Sequence, residues 1–204
     1  MRILNLYAGI GGNRKLWGPE HEVTAVEYTP KIAKTYAGLY PNDTVIVADA
    51  HEYLLHNYQD YDFIWSSPPC QSHSRMIRGG KNRKPRYADC RLYEEILLLM
   101  HNYEGDWVVE NVLPYYTPLI EGQKVGRHLF WSNLDLESVV ETPQPEGFIM
   151  STNVEGSERL KDWLGIHYEG NIYYEGNHCP AQVLRNCVHP LVGQQILRIA
   201  EREQ

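Results

Sequence analysis

The 204-residue chain is 43% hydrophobic and 22% charged, a composition that excludes a disordered or fibrous protein and suffices for one core with a small appendage. Its apolar run Ile96 to Met100 is far too short to span a bilayer, and no apolar stretch at the start leads to a small-residue cleavage site, so a soluble cytoplasmic protein is expected. A net charge of −7 and a pI near 5.7 speak against a generally basic nucleic-acid binder.

The first half alternates strand-like and helix-like segments. Ile3 to Tyr7 reads as a strand and runs into the turn Ala8-Gly9-Ile10-Gly11-Gly12. A second strand is expected over Val23 to Glu27, a helix over Thr29 to Tyr40, and a third strand over Thr44 to Ala48. His51 to Tyr58 suits a helix and Asp62 to Trp65 a fourth strand. Ser66 to Pro85 is rich in Ser, Pro, Gly and basic residues and reads as a loop. Arg91 to Asn102 is a helix with the apolar face Leu92, Ile96, Leu99 and Met100, followed by a fifth strand from Asp106 to Val109. Strands separated by helices of this length predict an α/β fold with a parallel sheet and right-handed crossovers.

The rhythm then changes. Leu113 to Gly126 carries prolines and glycines, His128 to Leu134 looks like a strand, and Glu141 to Glu146 reads as a linker. Ser151 to Pro180 is polar and aromatic without a long period, and Gln194 to Arg202 is a closing helix. The aromatics Trp163, Tyr168, Tyr173 and Tyr174 suit a small core of their own, with base contacts as the alternative.

Open parallel sheets bind ligands beyond the carboxyl ends of their strands. At those ends stand the glycine turn, Glu27, Asp49, Ser66-Ser67-Pro68-Pro69-Cys70-Gln71, and Glu110-Asn111. Gly9 and Gly11 fit the start of a dinucleotide fingerprint, but Arg14 stands where the third glycine belongs. Glu27 has the spacing of an acid that accepts bonds from ribose hydroxyls, so a nucleoside ligand without phosphates suits the turn. Asp49 suits an adenine amino group, or, taken alone, a helix N-cap.

Pro68 and Pro69 fix the backbone before Cys70 and present its thiol at the crevice, where nearby basic residues are expected to ease its ionisation. Glu110 supplies a matching acid. Thiolate addition at carbon-6 of cytosine makes carbon-5 nucleophilic, and an acid at ring N3 assists that addition. From Arg75 to Arg91 the basic residues Arg75, Arg78, Lys81, Arg83, Lys84, Arg86 and Arg91 face a single acid, Asp89, a local patch able to meet phosphates on an otherwise acidic body. The cysteines Cys70, Cys90, Cys179 and Cys187 have no C-x-x-C spacing, and no His cluster completes a zinc site, so reduced thiols and no metal are expected.

Tyr7-Ala8-Gly9-Ile10-Gly11-Gly12, Ser67-Pro68-Pro69-Cys70-Gln71 and Glu110-Asn111-Val112 resemble, in order and spacing, the motifs of the cytosine-5 DNA methyltransferases. Arg185-Asn186-Cys187-Val188 with Pro190 is similar to the family's last motif, and Gly126 to Asn133 occupies the place of its arginine motif. The resemblance covers about residues 1–133 and 183–204. It implies a Rossmann-like S-adenosylmethionine-dependent fold, with those residues as the catalytic domain and 134–182 as a much reduced target-recognition region. It further implies that Tyr7, Ala8, Gly9, Gly11, Gly12, Glu27, Tyr28, Asp49, Ala50, Pro69, Asn186 and Val188 hold S-adenosylmethionine, with S-adenosylhomocysteine as product. Cys70 would be the nucleophile, Glu110 the group at N3, and Arg127 or Arg185 the support of the flipped cytosine. Gln71, Ser72, Arg75, Lys81, Arg83, Lys84 and Asn111 would meet DNA, Ser72 to Arg91 forming a loop that closes over it. Only Arg127 matches the family's arginine motif, which ordinarily has two arginines, and the short recognition region leaves room for a partner chain. An RNA-directed enzyme on the same scaffold is the rival reading. The compact form is similar to bacteriophage-borne members, which implies action in a bacterial or phage-infected cytoplasm.

Overall fold

A computed structural model describes residues 1–75, 87–148, 154–174 and 179–203. Among these, a seven-stranded sheet has the order β3-β2-β1-β4-β5-β7-β6. Its strands are β1 (Arg2–Leu6), β2 (Glu22–Val26), β3 (Thr44–Ile46), β4 (Phe63–Ser66), β5 (Asp106–Val112), β6 (Gln123–Val125) and β7 (His128–Ser132). β1 to β5 are parallel; β7 runs antiparallel to both β5 and β6. The helices are α1 (Pro30–Leu39), α2 (Ala50–Asn57), α3 (Arg91–Asn102), α4 (Val154–Leu164), α5 (Ala181–Arg185) and α6 (Pro190–Glu203). The expected Rossmann-like α/β architecture is present. No helix among the described residues is long and apolar enough to cross a membrane.

Strand alternation divides the core into two layers. Ile3, Val23, Phe63, Trp65 and Val108 face Val192, Ile196 and Leu197 of α6. Their neighbours Leu4, Leu6, Ile64, Trp107 and Val109 face Leu54 of α2 and Leu92, Ile96 and Leu99 of α3. Both sheet faces are therefore covered, which is why the central strands read as continuous apolar runs.

Several boundaries differ from the sequence reading. β2 and β3 stop at Val26 and Ile46, and β7 at Ser132. β5 continues past Val109 to Val112, because β7 pairs antiparallel with it from Val108↔Ser132 to Val112↔His128. Glu110 is thus an interior residue of a paired strand, opposite Phe130. β6 lies in the stretch expected to be irregular, and the closing helix begins at Pro190 rather than Gln194. α4 falls in the segment read as aperiodic. Its buried side chains are two apolar ones, Leu160 and Leu164, and two polar ones, Ser157 and Lys161. The Lys161 stem lies in the core while Nζ donates to Glu158 and to the Tyr168 carbonyl, so a buried position reads as polar.

Arg14, where a third glycine was sought, is a fastening. Its Nε and a terminal nitrogen grip the two oxygens of Asp43 at 2.8 and 2.9 Å, and the Tyr36 hydroxyl donates to the same carboxylate. α6 closes the same corner. A Cβ on Gly193 would lie 2.2 Å from the Asn13 carbonyl oxygen, so the helix approaches the first turn at backbone distance. Gly193→Ala is therefore expected to destabilise the fold by about 1–3 kcal/mol, read as a lowered urea midpoint at unchanged m.

Candidate active site

The carboxyl ends of β1, β2, β4 and β5, with the segment that follows β3, open into one cavity of about 370 Å³, within the range of small-ligand sites. Two segments complete it. The β6–β7 hairpin turns at the carboxyl end of β5, placing Arg127 at that rim and His128 beside it. The chain from α5 into α6 returns to the first turn, where a Cβ on Gly12 would lie 2.6 Å from both Cys187 Cβ and the Val188 carbonyl oxygen. Only glycine permits that approach.

One half of the cavity is made by the first three strand ends. The turn bends sharply: Tyr7, Gly9 and Gly11 all have positive φ, at 53°, 55° and 74°, a conformation costly for a tyrosine. The Tyr7 hydroxyl is anchored by donating to Glu95 at 2.6 Å. Glu27 is buried and takes the Gly9 and Thr29 amides on its two oxygens, at 3.0 and 2.8 Å. Above Gly9 the space is open, since an added Cβ would meet only the Tyr174 hydroxyl at 3.8 Å. Asp49 caps α2 through Oδ1, which accepts from the His51 and Glu52 amides. Its Oδ2 lies 3.5 Å from an Arg91 nitrogen, so the carboxylate serves as N-cap while still lining the cavity. An open glycine turn flanked by two acids fits an adenosyl group with its ribose and amino functions, as the S-adenosylmethionine expected from the sequence requires.

The other half holds Cys70, Glu110 and Arg127. Asn111 braces the Pro68-Pro69 segment, its amide nitrogen donating to the Pro68 carbonyl at 2.9 Å. Ser67 accepts from the Trp65 indole at 2.9 Å and hydrogen-bonds the Glu110 carboxyl. Arg127 donates to the Arg185 carbonyl at 2.9 Å and lies over the Phe148 ring at 4.7 Å. Burial pushes Glu110 up to about 7, against the opposing pull of Ser67 and Arg127, so near neutrality it is poised between acid and carboxylate. Burial also lifts the Cys70 thiol to about 11, with the Glu110 carboxylate adding to the effect and Arg127 opposing it. This corrects the expectation that the thiol would ionise more easily than a free cysteine: desolvation and a buried acid outweigh the nearby cation. His128, 3.6 Å from Glu110, is held down to about 3 by burial and Arg127 and is a neutral imidazole.

Of the residues singled out from sequence, Cys70, Glu110, Arg127, Tyr7, Ala8, Gly9, Gly12, Glu27, Tyr28, Asp49, Ala50, Pro69, Asn186, Val188, Gln71 and Asn111 all line this cavity. Gly11 does not line it. A Cβ there would lie 2.3 Å from the Tyr40 ring and 2.8 Å from that of Tyr36, so Gly11 serves packing. Ser72 and Arg75 stand outside the lining as well: Ser72 Oγ accepts the Asp89 amide, and Arg75 donates weakly to the Pro114 carbonyl at 3.4 Å. Lys81, Arg83 and Lys84 lie outside the described residues. Sequence reasoning gave no role of its own to Ser67, His128 or Glu95, and it read Tyr174 as part of a small core or a base contact. The buried Glu95 carboxylate holds Tyr7, His51 and Ser66 at 2.6, 3.0 and 2.6 Å. Its only sequence signal was an acid on the apolar side of α3.

Glu110 carries a pH signature. Its pKa is higher folded than unfolded, so between about 4.5 and 7 the native state binds the extra proton and its stability falls as pH rises. Glu110→Gln removes this penalty. Its stability relative to the native protein should grow across that window by up to about 3 kcal/mol and stay level above it, as read from denaturant titrations at several pH values.

The family model of the C-5 cytosine-specific DNA methylases matches residues 1–115. The mouse tRNA (cytosine(38)-C(5))-methyltransferase is 27% identical over 118 residues, 55% of this chain; the match spans only 28% of that protein. A solved structure of a DNMT2 mutant from Spodoptera frugiperda aligns over 98% of this chain and 99% of its own, with a TM-score of 0.58 at 15% identity, a likeness of fold. The family match covers the turn after β1, the Pro-Pro-Cys-Gln loop and the Glu-Asn-Val end of β5, so this chain belongs to the C-5 cytosine-specific DNA methylase family.

Proposed function

We propose that the protein transfers a methyl group from S-adenosylmethionine to carbon-5 of a cytosine in a nucleic acid, with DNA as the principal substrate. One observation carries this reading: the Cys70 thiol, the Glu110 carboxyl and the Arg127 guanidinium share one cavity with the adenosyl-sized half built on the glycine turn.

The chain's own groups divide the work. Cys70 gives up its proton to solvent water and its sulfur, as the thiolate, bonds to carbon-6 of the base. Glu110 donates a proton to N3 as negative charge develops on the ring. Carbon-5 then takes the methyl group that the cofactor's sulfonium supplies. Loss of the carbon-5 proton to water, return of the N3 proton to Glu110 and expulsion of the Cys70 sulfur as a thiolate, which takes a proton back from water, restore the protein. Arg127 offsets the cost of a thiolate beside Glu110. Carbon-6 is shielded in a stacked duplex, so the cytosine must be extruded to reach this cavity. Residues 1–133 and 183–204 form the catalytic body, and 134–182 the recognition region. Lys81, Arg83 and Lys84 would meet the phosphate backbone.

A second reading, methylation of RNA, is favoured by the likeness to the mouse tRNA enzyme. Duplex DNA and tRNA assayed in parallel with labelled methyl donor separate the two: label in DNA alone supports the first reading, label in tRNA alone replaces it with the second. On the accepted substrate, Cys70→Ser should abolish turnover while retaining cofactor binding, and Glu110→Gln should slow it by about 10²–10⁴-fold. A 5-fluorocytosine substrate should leave a covalent adduct on Cys70, since the fluorine cannot leave as a proton. An adduct on another cysteine, or undiminished turnover by Cys70→Ser, would reject the mechanism.

A further inference from the structure

A second constellation lies at the opposite end of the sheet. His21 immediately precedes β2, at the amino ends of the parallel strands. Its side chain is only 4% exposed, yet neither ring nitrogen makes a hydrogen bond. Leaving both nitrogens of a buried imidazole without partners is costly and calls for an explanation. Nε2 nevertheless faces two acids: Glu201 Oε1 of α6 at 3.2 Å and Glu20 Oε1 at 3.6 Å. All three donor atoms lie within 4.8 Å of one another.

The spacing has a physical reading. Ligands about 2.0–2.1 Å from a tetrahedral metal ion are roughly 3.3–3.4 Å apart. The observed 3.2 and 3.6 Å bracket that edge length. Oxygens placed around such an ion also sit well off the axis of the ring nitrogen's lone pair. That agrees with an approach to 3.2 Å that makes no hydrogen bond. The local chain favours the arrangement too: the Glu20 carboxylate folds over Gly18, where a Cβ would lie 2.0 Å from it. The two carboxylates remain 64% and 37% exposed, which leaves an ion an open path and room for a water as fourth ligand.

We propose that Glu20, His21 and Glu201 bind one divalent transition-metal ion of the zinc class, which clamps the start of β2 to α6. An imidazole and two carboxylates suit zinc or cobalt. Glu20 and His21 are adjacent in sequence while Glu201 comes from α6, so no short spacing announces the site. The clamp is independent of the methyl-transfer reading, because these residues lie outside the cavity lining.

The test uses the full chain, stripped with chelator and titrated with Zn²⁺ by calorimetry and with Co²⁺ by absorbance. One equivalent should bind with ligand-field bands and no thiolate-to-cobalt charge-transfer band, which separates this site from the four cysteines. His21→Ala and Glu201→Gln should each weaken binding at least 10-fold. At a hundredfold excess of Zn²⁺ over Kd the unfolding midpoint should rise by about 5 °C, a rise that Glu201→Gln reduces. Should the His21 variant fail to fold, the partly exposed Glu201 position decides. No saturable binding, binding unchanged in Glu201→Gln, or a thiolate band would overturn the proposal and leave a plain His–carboxylate contact.

Discussion

Burial of the Glu110 carboxyl beside the Cys70 thiol and the Arg127 guanidinium imposes two opposed demands on one small volume. Low dielectric keeps the carboxyl able to hold a proton near neutrality, as a donor to a base requires, and it also holds the neighbouring thiol in its neutral form. In the resting protein the thiol therefore stays protonated whether or not the carboxyl does, whereas the proposed reaction needs a thiolate beside a protonated carboxyl. Arg127 bears on both groups, lowering the cost of each anion. Its own anchoring on the Arg185 carbonyl and the Phe148 ring ties that influence to the returning C-terminal segment. A base whose N3 accepts a hydrogen bond from the protonated Glu110 carboxyl would hold that carboxyl neutral, lessening its opposition to a Cys70 thiolate until the proton passes to the ring.

The groups that set this geometry lie largely beneath the cavity. Glu95 draws the ends of β1 and β4 and the start of α2 onto one carboxylate through Tyr7, Ser66 and His51. It holds Tyr7 at positive φ and fixes where the glycine turn begins. Asn111 does the equivalent work for the Pro-Pro segment, and Ser67 links the Trp65 indole to Glu110. These contacts cross between neighbouring strand ends, so displacement of one strand by a residue would disturb both halves of the cavity.

What was legible in the sequence follows from range. The order of β1 to β5 with α1 to α3 rests on local periodicity, and the approach of their carboxyl ends follows from parallel pairing alone. For that reason Cys70, Glu110, Glu27 and Asp49 could be placed at one crevice without coordinates. β6, the extension of β5 and the position of His128 depend on antiparallel pairing across a hairpin, which leaves little periodic trace in three- to seven-residue strands. The direction of the Cys70 shift was misjudged for a related reason: charge is visible in a sequence, whereas desolvation depends on what packs above the thiol. α4 was hidden by Lys161, a charged residue filling a buried position.

The chain path also constrains how residues 134–182 can act. The polypeptide leaves the sheet after β7 and returns through α5 and α6, whose contacts with Gly12 and Asn13 are too close to loosen without disturbing the first turn. Between these anchors, Leu160, Leu164, Ile166 and Ile172 share one apolar cluster with Ile10 of that turn and Ile32 of α1. Swinging the appended region away would expose Ile10 and Ile32, at about 1.5–3 kcal/mol for each fully buried side chain. Tyr174 reaches from this region into the cavity beside Gly9. The appendage is therefore better described as a wall of the cofactor pocket than as a separate reader on a hinge.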